Sequence, residues 1–229
     1  MLKKQLSVFF LLILQGALAQ DPDRRTLTTG PFEGIKVYSK IELNLIPSES
    51  NKAIVTGENK DAVILSMKNQ ELRIKLESEN ILNPGKTKID LYFSRTLKRI
   101  EAHQGARISS LQTFRQTKAT LIAKTNSQIE LSFETDHLDL YSSFGGRIVL
   151  KGATNTLFLK GTTGASCELE ELVLPQAKIN LIAGGYAYVA PEKKIEALVL
   201  GASVLRVYSN PEKKTTQKSL GGKIYFEKK

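Results

Sequence analysis

A chain of 229 residues with 41% apolar side chains has enough material for one large or two small cores, which excludes intrinsic disorder. Its formal charge of +10 points to anionic neighbours without choosing among glycans, lipid head groups and acidic proteins. The single cysteine, Cys167, excludes an intramolecular disulfide, so packing and backbone ladders must hold the fold.

The first residues read as an export signal. Lys3 and Lys4 form a basic n-region, Leu6 to Leu14 an apolar stretch, and Ala17-Leu18-Ala19 a small-residue cleavage site, which makes residues 1–19 a signal peptide. The apolar run is far shorter than the roughly 20 residues a spanning helix needs, and no later run could cross a bilayer. Export implies a periplasmic, surface or extracellular destination. Residues 20–31 are polar and turn-rich and read as a flexible leader, with order expected from Phe32.

Residues 32–96 show period-2 alternation in short pieces: Ile35 and Val37, Ile41 to Leu45, Ala53 and Val55, Val63 and Leu65, Leu72 to Leu76, and Ile89 to Phe93. Turns are expected at Gly57-Glu58-Asn59, Lys68-Asn69-Gln70 and Asn83-Pro84-Gly85, and one helical turn fits within Asn59 to Leu65. From Leu97 the spacing becomes regular. Aligned on the first apolar residue after each turn, Ile108, Ile129, Ile148, Cys167, Tyr188, Leu205 and Ile224 follow one another at gaps of 21, 19, 19, 21, 17 and 19.

A period near 20 with strand-turn-strand units is the signature of a β-solenoid, in which each coil buries its apolar face only against its neighbours. An antiparallel sandwich, with strands recurring at about 8 to 12 residues, is the competing architecture. A recurring column of small residues favours the solenoid: Gly105, Gly146, Gly164, Gly185, Gly201 and Gly222, each beside another Gly or Ala, mark one corner revisited every turn where positive φ is useful. The expected fold is therefore all-β, a right-handed parallel β-helix-like solenoid over residues 97–229. A less regular β part over 32–96 precedes it, the whole of 32–229 forming one continuous unit.

Five segments in fixed order add a family resemblance: FEGIKV (Phe32 to Val37), IVTGEN (Ile54 to Asn59), LRIKL (Leu72 to Leu76), IDLYF (Ile89 to Phe93) and LKRIEAHQGARI (Leu97 to Ile108). Together they resemble the head GIN domain of bacterial auto-transporter adhesins, over nearly all of Phe32 to Phe226. Ser94-Arg95-Thr96 lacks the Pro the family places there, and the family's Ser-Gly-rich turn is reduced to Gln104-Gly105-Ala106. The resemblance implies a secreted, repetitive β-helix-like protein of largely undefined activity and supplies no catalytic residue to carry over.

The residues themselves offer little chemistry. His103 and His137, the only histidines, read as solvated turn residues too far apart for a shared site. Glu134, Asp136 and Asp139 cluster near Arg147, and paired acids beside a base would suit a carbohydrate-active enzyme on anionic polysaccharide. Asp139, however, alternates with Leu138 and Leu140 and reads as an outer-face residue. No GxSxG, SxxK, GxGxxG, EF-hand or zinc-finger spacing occurs, and Cys167 aligns with core positions.

The expected function is accordingly a non-enzymatic, exported binding scaffold for an envelope glycan or protein, without cofactor, metal or nucleic acid. Its surface candidates are Tyr141, Arg147 and Asp139 among tyrosines spread along the coils. The alternatives are the carbohydrate-active enzyme and an envelope assembly protein that pairs through its solenoid ends.

Overall fold

The computed structural model describes residues 23–77 and 85–227; the expected export signal and the Asn83-Pro84 part of one expected turn lie outside them. Period-2 alternation becomes sixteen strands. They are β1 (Arg24–Thr28), β2 (Gly34–Val37), β3 (Glu42–Pro47), β4 (Lys52–Gly57), β5 (Val63–Lys68), β6 (Glu71–Leu76), β7 (Thr87–Phe93) and β8 (Arg99–Ala102) in the irregular part. β9 (Arg107–Lys124), β10 (Gln128–Ser143), β11 (Arg147–Thr162), β12 (Ser166–Ile182), β13 (Tyr186–Leu200), β14 (Val204–Val207), β15 (Lys213–Ser219) and β16 (Lys223–Phe226) follow. The only helical element among the described residues is a 3-10 turn at Lys60–Ala62, within the stretch where one was expected.

The architecture is a parallel β-solenoid of about 7 turns of ~19 residues. Each of β9 to β13 is nearly a whole coil, bent in its middle and paired in parallel with the coils before and after it. The first halves of these strands stack into one face, continued by β14 and β16. The second halves stack into the opposite face, continued by β15.

The interior is built of columns. On the first face Leu43, Ile108, Ile129, Ile148, Cys167, Ala187, Leu205 and Ile224 lie in register. The sequence alignment is correct here except at one rung, where Ala187 and not Tyr188 faces inward; Tyr188 pairs with Glu168 and Arg206 on the outside. On the second face Ile35, Ile100, Leu121, Leu140, Leu159, Ile179 and Ala197 form the matching column. Each Leu or Ile of these columns that is buried by its neighbours above and below contributes roughly 1.5–3 kcal/mol.

The corner between the second face and the next coil explains the glycines, with one correction. Two consecutive residues adopt left-handed φ there: Gln104-Gly105, Thr125-Asn126, Phe144-Gly145, Thr163-Gly164, Ala183-Gly184, Gly201-Ala202 and Leu220-Gly221. Gly105, Gly164 and Gly201 are thus the positive-φ residues expected, whereas Gly146, Gly185 and Gly222 stand one place later, where φ is ordinary and the constraint is space. A Cβ on Gly146 would lie 2.2 Å from the carbonyl oxygen of Ala123, and one on Gly222 2.1 Å from that of Val199. The same inner position is filled by Ala106, Ser127, Ala165 and Ser203 in the other coils, all buried.

The irregular part completes the same two faces by a different route. β3 pairs with β7 and β9, and β7 with β4, which takes β1 on its outer edge; the last two pairings are antiparallel. On the opposite face β2 lies between β6 and β8, β8 joins β9, and β5 turns back antiparallel on β6. The ladder is therefore unbroken from β1 to β16. The leader reading of residues 20–31 is corrected: Arg24–Thr28 is an edge strand, because Thr26 and its neighbours find backbone partners on β4. Phe32, Phe93, Phe114 and Phe133 stack through the interior with centroids 6.5, 6.0 and 5.3 Å apart, joining the irregular part to the first regular coils.

Candidate functional site

Outward positions decide what such a scaffold can touch. On the second face, parallel register carries Glu101, Ile122, Tyr141, Lys160 and Asn180 in a single row across five coils. Tyr141 lies between Ile122 and Lys160, each one coil away, and its ring meets Phe158 edge-on at 5.9 Å. Ile122, Tyr141 and Lys160 line a shallow groove of about 430 Å³ together with Arg99, Thr120, Lys124, Ser143 and Thr162.

The charge in this groove is uneven. The Arg99 guanidinium donates to Glu101 at 2.6 Å, whereas Lys124 and Lys160 form no ion pair among the described residues. The neighbouring basic groove, lined by Lys98, Arg99, Arg115 and Lys118, differs: Lys98 pairs with Glu33, Arg115 with Glu134 and Lys118 with Asp139. A paired cation has little field left for a ligand, so the two free lysines beside Tyr141 distinguish its groove.

The structure separates the three surface candidates. Tyr141 lines the groove, and Asp139 is on the same face, its carboxylate held by His137 and Lys118 at 2.9 Å each. Arg147 projects from the opposite face and is locked bidentately onto Glu168 at 2.8 and 2.6 Å. Glu134 accepts two bonds from Arg115 and Asp136 one from Asn155. Each acid of the sequence cluster therefore has its own partner. Neither the enzyme reading nor the assembly reading gains support from this arrangement.

The histidines also differ from expectation. His103 is largely covered: it stacks on Tyr38 with centroids 5.1 Å apart, and its Nε2 donates to the acceptor-only carboxylate of Glu101 at 2.8 Å. Glu101 is the most enclosed acid here, 3% exposed, and receives His103, Arg99 and Lys36. Burial by itself would raise its carboxyl, but these three hydrogen-bonded partners outweigh it and bring the pKa down to about 2. Burial pushes the Cys167 thiol up to about 12, as befits an inert core residue. Among the described residues no group of three or more His, Cys, Asp or Glu side chains is placed to hold a metal ion. None of their helices is long and apolar enough to cross a membrane.

Sequence reading missed Ile122, Lys124, Phe158 and Lys160. A signal was present: Ile122, Tyr141 and Lys160 are spaced by one coil length each, and once the coil is known the three must align.

Solved structures resemble this fold over most of its length. A "putative adhesin" from Bacteroides fragilis superposes with a TM-score of 0.79 at 16% identity, covering 89% of this chain and 95% of its own. A "putative adhesin" from Parabacteroides distasonis gives 0.72 at 16% identity with the same coverage. A "putative lipid binding protein" from that organism gives 0.64 at 13% identity, again covering 89% and 95%. At these identities the shared property is the fold, and the differing labels belong to those proteins. No curated protein matches the chain. The model of one family, described as "Putative auto-transporter adhesin, head GIN domain", matches residues 31–211, and with the solenoid and its five ordered segments in place the chain belongs to that family.

Proposed function

We propose that this protein is an exported, non-enzymatic adhesin-like scaffold whose second face binds an anionic glycan of the cell envelope or its surroundings, from the periplasm or the outer surface. The observation that supports this most directly is the Tyr141 groove, where an aromatic ring on rigid strands is flanked by two unpaired lysines. A sugar ring can lie on the apolar face of the tyrosine while carboxylate or sulfate groups reach Lys124 and Lys160, and rigid strands reduce the ordering cost of binding.

Binding of the full chain to immobilised uronic-acid and sulfated polysaccharides tests the proposal. Tyr141→Ala and the double variant Lys124→Glu/Lys160→Glu are each expected to weaken retention at least about tenfold, and added salt should weaken the wild type progressively. Retention that is unchanged in both variants, or absent across the charged series, would remove the groove from the function.

A further inference from the structure

We infer a second binding surface on the opposite face of the terminal coils, suited to an uncharged polysaccharide. Upstream on that face the outward rows are polar except at Val149, running Arg107, Gln128, Arg147 and Ser166 in one and Ser109, Glu130, Val149 and Glu168 in the next. At β13 they change character: Tyr186 follows Ser166, with Val204 and Lys223 after it, while Tyr188 follows Glu168, and Arg206 and Tyr225 continue the second row. Tyr208 adds a further ring beside them. Four of the seven tyrosines in the chain thus gather on three successive coils of one face.

The interior of these coils does not need them. Inward positions of the same coils are already filled by Ala187, Val189, Leu205 and Val207, all buried, while Tyr186 and Tyr225 remain 45% and 41% exposed. The rings of Tyr188 and Tyr208 lie nearly parallel, 15° between planes and 6.4 Å between centroids. Coils roughly 4.8 Å apart hold these rings as a fixed, open terrace, not a pocket.

Charge selects the ligand. Two cations of this surface are satisfied internally, Arg147 by Glu168, and Arg206 by Glu227 while it also covers the ring of Tyr225 at 5.2 Å; Lys223, exposed on the last rung of the Tyr186 row, has no ion pair among the described residues. Aromatic faces with phenol hydroxyls at the rim and a single free cation, Lys223, at the outer edge complement a flat neutral sugar chain, which offers C–H faces edged by hydroxyls. An anionic polymer would find one free lysine at the edge of this surface and two beside the ring of Tyr141. Tyr225 lies past residue 211, where the family match ends, so the complete terrace includes a coil outside that match.

The test is sedimentation of the full chain with microcrystalline cellulose and chitin, and affinity electrophoresis in hydroxyethyl cellulose, at low and high salt. Retention that is insensitive to salt, weakened at least tenfold in Tyr186→Ala/Tyr225→Ala and unaffected by Lys124→Glu/Lys160→Glu, is the expected result. Circular dichroism of the tyrosine variant should match the wild type, since both rings are on the surface. No retention on any of the three polymers overturns the inference, as does retention indifferent to the tyrosines. A terrace that instead mediates contact between two copies would appear as a dimer lost in the tyrosine variant without polysaccharide binding, and would also overturn it. Because the lysine variant is read separately, failure here and failure of the groove are distinguishable.

Discussion

The irregular first part and the regular coils enclose the same two-faced interior, yet they hold register by different means. In β9 to β13 each coil repeats the last, and a two-residue left-handed corner followed by a small buried residue returns the chain to the same place every time. Between β1 and β8 that corner occurs once between the two faces, at Ser39-Lys40, where it is followed by Ile41 and not by a small residue, and strands from separated segments are joined by parallel and antiparallel pairing around the Glu101 cluster and the phenylalanine stack. Repetition makes register a geometric matter of the corner, whereas the irregular part depends on particular side chains. The first is sensitive to added volume, the second to lost partners.

The largest expected effect follows at the corner. Gly146→Val forces a side chain against the Ala123 carbonyl, where even a Cβ would lie at 2.2 Å, and the neighbouring coils must move to admit it. A loss of about 3 kcal/mol or more is expected, seen as a fall in Tm of roughly 6–12 °C by circular dichroism. An unchanged Tm would mean that the corner is slack and that register comes from the columns instead.

Glu101 is the corresponding point in the irregular part. Removing its carboxylate leaves Lys36, Arg99 and His103 without their shared acceptor, and Glu101→Ala should cost on the order of 2–4 kcal/mol in denaturant titration. Folding lowers this carboxyl from an ordinary 4.5 to about 2, so its contribution is fully present above about pH 4.5 and is lost as pH falls towards 2. The wild type should lose stability over that window more steeply than Glu101→Gln, and parallel pH profiles for the two would contradict the assignment.

Cys167→Ala sharpens the comparison with a small internal change. Deleting one buried sulfur from a regular column should cost about 1–2 kcal/mol, and the native thiol should resist alkylation until the protein unfolds.

The smallest effect on stability and the clearest on association is expected at the far end. In β15, Lys214, Thr216 and Lys218 stand in the register of the inward Ile195, Ala197 and Val199, and all of β15 is exposed. Polar residues at inward positions make this edge a poor template for another chain. Lys214→Ile with Lys218→Val should change the unfolding midpoint little, but light scattering should detect association that the wild type lacks.

The first-face column was readable to within one residue because a period near 19 is a property of the chain alone. The error at Tyr188 arose because Tyr188 is as apolar in pattern as Ala187, and only pairing with Glu168 shows which points outward. The glycine column was legible as a corner, but not the division between residues that need left-handed φ and those that need empty space, since the second requirement is imposed by a carbonyl one coil away. The clustering of acids near Asp139 was likewise visible, whereas the partners that neutralise each acid come mostly from neighbouring coils.

What the amino-acid sequence determined by itself is periodic: strands, coil length, the recurring corner and the family segments, all of which depend on residues near one another along the chain. What only the tertiary structure decided is lateral. Stacking coils brings residues about 19 apart within one rung of each other, and that spacing gathers Ile122, Tyr141 and Lys160 into a groove and sends Arg147 to the opposite face. It also assembles the terminal tyrosines into a terrace, because side chains meet across rungs according to register, which no single coil contains.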